Sequence, residues 1–171
     1  MIREKVPAAF VPLSEERLYL RVTWVLLLLL ALFPVLAPLL DLVGVARSGL
    51  PADHGAAFTA LSGSSWEAAR AAQPGIARFI GVLEQGYALH EVVFGVLFLV
   101  IVAIPFRRGE RWSWFTCWAV LIADLGYTLT LARHDPTLFR QSLIADLALP
   151  ALLLLQIRRF FPGRLIVGVS R

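Results

Sequence analysis

The chain contains one cysteine, Cys117, and one lysine, Lys5. A single sulfur excludes an internal disulfide and any thiolate metal cluster. Cys117 lies in an apolar run, where a free cysteine acts as a small hydrophobe rather than a nucleophile. No nucleotide-binding loop, nucleophile triad, redox motif or HExxH is present, so the common cofactor and hydrolase signatures are missing. Basic charge is carried almost wholly by arginine, a bias typical of a GC-rich bacterial genome. The net charge of +4 would point to nucleic acid in a soluble protein. Here the arginines flank apolar runs, so anionic lipid headgroups explain them and no nucleic-acid partner is expected.

What the chain does have is apolar sequence. Hydrophobic residues make up 58% of it, above the ~45–50% of a soluble domain, and they are gathered in long runs. The expected fold is all-α, a single four-helix transmembrane domain over 1–171. Its spans are expected near 22–43, 88–106, 112–131 and 138–161, each close to the ~20 residues that cross a bilayer core. The first run, VLLLLLALFPVLAPLL, is longer than the ~7–15 residues of a signal-peptide core and is expected to be a retained anchor. Ser14, with Glu15 and Glu16 after it, has the pattern of a helix N-cap with acids in the first turn. Pro74 suits a first helical position, so the second helix is expected to begin there and protrude. The connection 44–73 is rich in Gly, Ala and Ser. Within it Ser64 and Glu67 have capping-box spacing, predicting a short surface helix over Trp66–Ala72 that is either a lid or a plain connector.

Eleven basic residues (among them Arg107, Arg108, Arg111, Arg158 and Arg159) fall on one side of this arrangement and five on the other (Arg47, Arg70, Arg78, Arg133 and Arg140). The side richer in Arg and Lys faces the cytoplasm. Both termini are therefore expected to be cytoplasmic in a bacterial cell membrane. Trp112, Trp114 and Trp118 have the placing of an interfacial aromatic belt.

Polar residues inside the spans are the functional signal. Glu91, Asp124 and Asp146 sit in apolar runs, where carboxylates are expensive and by default mark a site. A rise of 1.5 Å per residue puts Asp124 and Asp146 each roughly 12 Å deep, with Glu91 shallower and Asp41 near the outer end of the first span. Helical spacing gives them companions: Glu84 and Tyr87 with Glu91, Tyr127 and Thr128 with Asp124, Ser142 with Asp146. These faces are expected to line an outward-opening polar pocket, with Glu91, Asp124, Asp146 and His90 as catalytic candidates and Glu84, Tyr87, Tyr127, Thr128 and Ser142 as ligand-binding candidates. His90 adjoins Glu91, so the two diverge by about 100° around the helix.

Two carboxylates facing each other in a low dielectric do not both stay charged. A protonated one can donate to an alkene or epoxide, as an isomerase or cyclase requires. The other use of such acids is structural, pairing with Arg78, Arg133 or Arg140 to lock helices. No metal and no cofactor is expected, because neighbouring His90 and Glu91 cannot both face one ion and His54 and His134 lie on loops. The tetrad Ile-Ala-Asp-Leu occurs at 122–125 and again at 144–147, in helices of opposite direction, a pattern that inverted-repeat transporters use.

The segment Pro105-Phe106-Arg107-Arg108-Gly109-Glu110-Arg111-Trp112 resembles the PFRRGERW-type loop of small bacterial four-helix integral membrane proteins. That resemblance implies the fold and a bacterial membrane location, and carries no catalytic residue. In outline the chain is also similar to emopamil-binding-type domains, which include sterol isomerases, and to DoxX-like four-helix proteins. Three functions stand open: binding or acid/base conversion of a small hydrophobic ligand, an accessory subunit that presents polar faces to a membrane-complex partner, and proton-coupled transport as an oligomer. Few polar residues lie in the inner halves of the spans, Thr23 and Gln156 among them.

Overall fold

A computed structural model describes residues 15–162 of the chain. The expected cap Ser14 lies outside the described residues, as do Arg3, Lys5, Arg164 and Arg171 of the charge count. The described chain is helical, in the order α1 (Glu15–Ser48), α2 (His54–Ser62), α3 (Trp66–Ala72), α4 (Pro74–Ile101), a π-helical turn Val102–Phe106, α5 (Arg111–Thr130), a 3-10 turn Ala132–His134, α6 (Pro136–Leu155) and α7 (Ile157–Phe160). Four of these elements are long and apolar enough to cross a membrane: Leu18–Ser48, Pro74–Phe106, Arg111–His134 and Pro136–Leu155. Their outer faces carry large apolar side chains, with Leu40 72% and Ile144 69% exposed. Such surface is untenable in water but matches lipid. This is a multi-pass membrane protein.

The bundle closes through α1. It packs along α4 and against α6, and α6 pairs with α5, whereas α4 and α5 meet far less. Prolines shape the long helices without breaking them. Pro34 and Pro38 lie inside α1, Pro150 inside α6, and Pro105 inside the π-helical turn. A wider turn is a usual way to absorb a proline that blocks the normal ladder.

The dense core fills only one half of the bundle. Leu27 and Ala31 of α1, Phe98 and Val102 of the second span, Cys117 and Val120 of α5, and Leu149 and Leu153 of α6 form it, with the tilted ring pair Phe106 and Phe160 at its end, centroids 4.7 Å apart. Side-chain donors tie the helices together at backbone carbonyls there. Trp24 Nε1 donates to Val102 O at 3.0 Å, Trp114 Nε1 to Leu153 O at 3.0 Å, and Gln156 Nε2 to Leu20 O at 2.9 Å and Thr23 Oγ1 at 2.7 Å. Such bonds matter in lipid because no water competes for the carbonyls. They also correct the belt: Trp112 is exposed, but Trp114 turns into the bundle, because its indole N–H finds a carbonyl there.

Other boundaries move as well. The first span extends to Ser48 rather than ending at 43, so the connection begins at Gly49. It holds two helices rather than one. The expected helix Trp66–Ala72 is present, but its cap is Ser65, whose hydroxyl accepts from Ala68 N at 3.2 Å, and not Ser64. Trp66 is buried and donates to Ser48 O at 2.7 Å, so this helix is pinned to the bundle by its first residue. The fourth span stops at Leu155 rather than 161, where Gln156 breaks the helix before the short α7. Pro74 starts α4 as expected.

Candidate functional site

Opposite the core, the other half of the bundle holds a cavity of about 330 Å³. Asp41 of α1, Tyr87, His90 and Glu91 of α4, Asp124 and Tyr127 of α5 and Ser142 of α6 all line it. Its deeper wall is apolar, made by Leu30, Phe94, Phe98, Val120 and Leu149. The sparse contact between α4 and α5 leaves the space, and helical periodicity turns the polar residues of each span toward it.

Glu91 and Asp124, from different helices, therefore meet one cavity, as the sequence pattern predicts. His90 shares it despite its different angle. Its Nδ1 lies 2.7 Å from the Gly86 carbonyl one turn earlier. A carbonyl only accepts, so Nδ1 carries the hydrogen and Nε2 is left to the cavity.

Asp146 is placed differently. It is 5% exposed and sits one layer behind the wall. Thr128 Oγ1 donates to Asp146 Oδ2 at 2.7 Å, and the Ser142 hydroxyl is in close contact with Thr128 Oγ1. One hydroxyl hydrogen each fixes the direction: Ser142 on the wall donates to Thr128, and Thr128 donates to Asp146. Asp146 Oδ1 meets no donor among the described residues. Thr128, likewise buried, is a link between wall and acid rather than a lining residue. The two Ile-Ala-Asp-Leu tetrads thus differ in use: Ile122 and Ile144 both face outward, 74% and 69% exposed, while only Asp124 reaches the cavity.

Glu84 does not line the cavity either. Its Oε2 lies 3.2 Å from Nδ1 of His54, the first residue of α2. His54 is buried and lines the cavity, with Nε2 3.5 Å from the Tyr127 hydroxyl. Burial by itself lowers the pKa of His54, but the hydrogen bond to Glu84 and the charge of Glu84 outweigh it, and the net effect is a rise above the ordinary 6.5. His54 was not legible as a site residue because it sits on the connection after α1, outside the periodic pattern of the spans. The only signal was its place just before a small-residue run able to form a helix. Asp53, next to it, also lines the cavity.

The expected partners of the acids are absent. Among the described residues the ion pairs are His54–Glu84 and Arg108–Glu110. Arg78, Arg133 and Arg140 reach none of the buried carboxylates, so arginine pairing does not lock these helices. Nor do three His, Cys, Asp or Glu side chains gather closely enough among the described residues to hold a metal ion. Cys117 is buried in the core, one turn along α5 from Val120, and does not line the cavity.

No protein-family model, curated protein or solved structure matches this chain.

Proposed function

We propose that the cavity binds a small hydrophobic ligand and that Glu91 and Asp124, with His90, exchange protons with it in isomerase- or cyclase-like chemistry. One observation carries this: acids from separate helices converge on a single cavity whose deeper wall is apolar. An apolar pocket with a few convergent polar groups is the usual form of a ligand site. Among the described residues no arginine or lysine stands on the wall. The counter-charge of the acids must then come from the imidazole of His54, as protons or with the ligand itself. Ser142 and Thr128 extend this polar surface to Asp146, a third carboxylate held in reserve behind it. The layer of Phe98, Val120 and Leu149 speaks for binding over passage, because it separates these acids from Thr23 and Gln156.

The arginine distribution supports a bacterial cytoplasmic membrane location with both termini inside, which makes the cavity open away from the cytoplasm. The four-helix proteins with a PFRRGERW-type loop are the family this proposal assigns. Cys117 is buried, so an introduced thiol reports sidedness. Ala60→Cys should react with a membrane-impermeant maleimide on intact cells, and Arg108→Cys only after permeabilisation. The reverse pattern would invert the topology.

The ligand test is purification of the full chain in mild detergent, followed by mass spectrometry of the small molecules it retains. Glu91→Gln combined with Asp124→Asn should lose a species the unaltered chain keeps. Unchanged retention in a folded double variant would defeat the assignment.

A further inference from the structure

A second concavity lies at the same end of the bundle, on its outer face, and its charge is opposite. Arg47 in the last turn of α1, Arg70 of α3 and Arg78 near the start of α4 line one groove of about 490 Å³. No carboxylate lines it, and none of the three guanidinium groups is within ion-pair distance of an acid among the described residues. Three like charges lining one groove make it electropositive, and an anion there would be attracted to it.

We propose that this groove is a headgroup site for an anionic phospholipid. The fold holds one of its arginines in place. The Ser48 carbonyl receives both Trp66 Nε1 at 2.7 Å and Arg70 Nη1 at 3.2 Å. Those two bonds hold α3 and the Arg70 side chain against the end of α1. Gly49, at φ 82°, allows the chain to turn there, and the Trp66 ring lies 3.2 Å from where a β-carbon on Gly49 would sit. Guanidinium forks suit phosphate oxygens better than any other side chain.

The depth also fits. Arg47 and Arg78 lie near the ends of two long apolar helices, on the side where these leave the hydrocarbon for the headgroups. Further along the same helices the groove continues as Leu42 and Val45 of α1 and Val82 of α4, the last 59% exposed. Cations above an apolar wall match a phosphate with acyl chains beneath it. A free phosphate would make no use of that wall.

The test uses the full chain in mild non-ionic detergent. Native mass spectrometry follows the retention of phosphatidylglycerol and of phosphatidylcholine with the same acyl chains. Preferential retention of phosphatidylglycerol is expected. Arg47→Gln and Arg78→Gln should each weaken it about fivefold, from the roughly 1 kcal/mol that a basic residue contributes at an anionic surface. Arg140→Gln, an exposed arginine outside the groove, should leave it unchanged. Arg78 makes no hydrogen bond within the described chain, so its loss removes no internal contact. Millimolar inorganic phosphate should not displace the lipid. Equal retention of both lipids, insensitivity to the groove variants, an equal loss in Arg140→Gln, or displacement by free phosphate would each overturn the proposal.

Discussion

The backbone carbonyl of Pro34 in α1 occupies the space that a β-carbon on Gly95 of α4 would need, with Val35 N only 2.8 Å from the same point. Pro38 explains why that carbonyl is available. It stands four residues after Pro34 and has no N–H to give it. The freed carbonyl faces a bare α-carbon, a contact that helix pairs in membranes use. Gly95→Ala should therefore push α1 from α4 and cost about 1–3 kcal/mol, as overpacking does. A fall in the thermal midpoint of the detergent-solubilised protein checks it. Pro34→Ala should not rescue the loss, since the clash is with backbone.

The His54–Glu84 pair predicts a pH dependence for the docking of α2. Because the pKa of His54 is raised in the folded protein, the pair's contribution is complete below the ordinary imidazole pKa and fades as pH rises through the folded value. Amide exchange over His54–Ser62, corrected for intrinsic rates, should show protection decreasing across that range. Glu84→Gln should remove the dependence and cost about 1–3 kcal/mol, since the bond it breaks is to a charged group. A flat profile in the unaltered protein would contradict the assignment.

Thr128→Val should destabilise more than Ser142→Ala. The valine leaves Asp146, already short of one donor, with no hydrogen bond to its carboxyl group. The expected cost is about 1–3 kcal/mol, as for a buried polar group left without its hydrogen bond. Ser142→Ala severs only the link to the cavity wall and should cost about 1 kcal/mol. Denaturation of the two variants in the same detergent ranks them. If the order is reversed, Asp146 does not depend on Thr128.

Gln156→Leu should loosen the end of α6 from α1. The amide donates to Leu20 O and Thr23 Oγ1 from a fully buried position. A loss of about 0.6–2 kcal/mol is expected, the range for hydrogen bonds between membrane helices. Ligand retention by the cavity should not change, because the apolar core lies between the two.

Much of the fold was legible because hydrocarbon imposes simple requirements. A run of apolar residues long enough to cross must form a helix, since every backbone group has to be satisfied within it. The four spans, Pro74 as a helix start and the helix Trp66–Ala72 followed from local pattern. Boundaries were less legible. The first span runs on past 43, and the fourth ends at Gln156 because that side chain is drawn to α1, a partner remote in sequence.

The candidate site divides along the same line. Sequence by itself determined that Glu91, Asp124 and Asp146 are costly in lipid and that helical spacing gives each a polar companion. Those are properties of one helix at a time. Only the tertiary structure decided that Glu91 and Asp124 share a cavity while Asp146 stands behind Thr128 and Ser142. It alone brought His54 onto Glu84 and left Arg47, Arg70 and Arg78 together without an acid. Each depends on how far apart two helices sit and how each is rotated about its axis. Packing contacts such as Pro34 against Gly95 set those quantities, and no local periodicity records them.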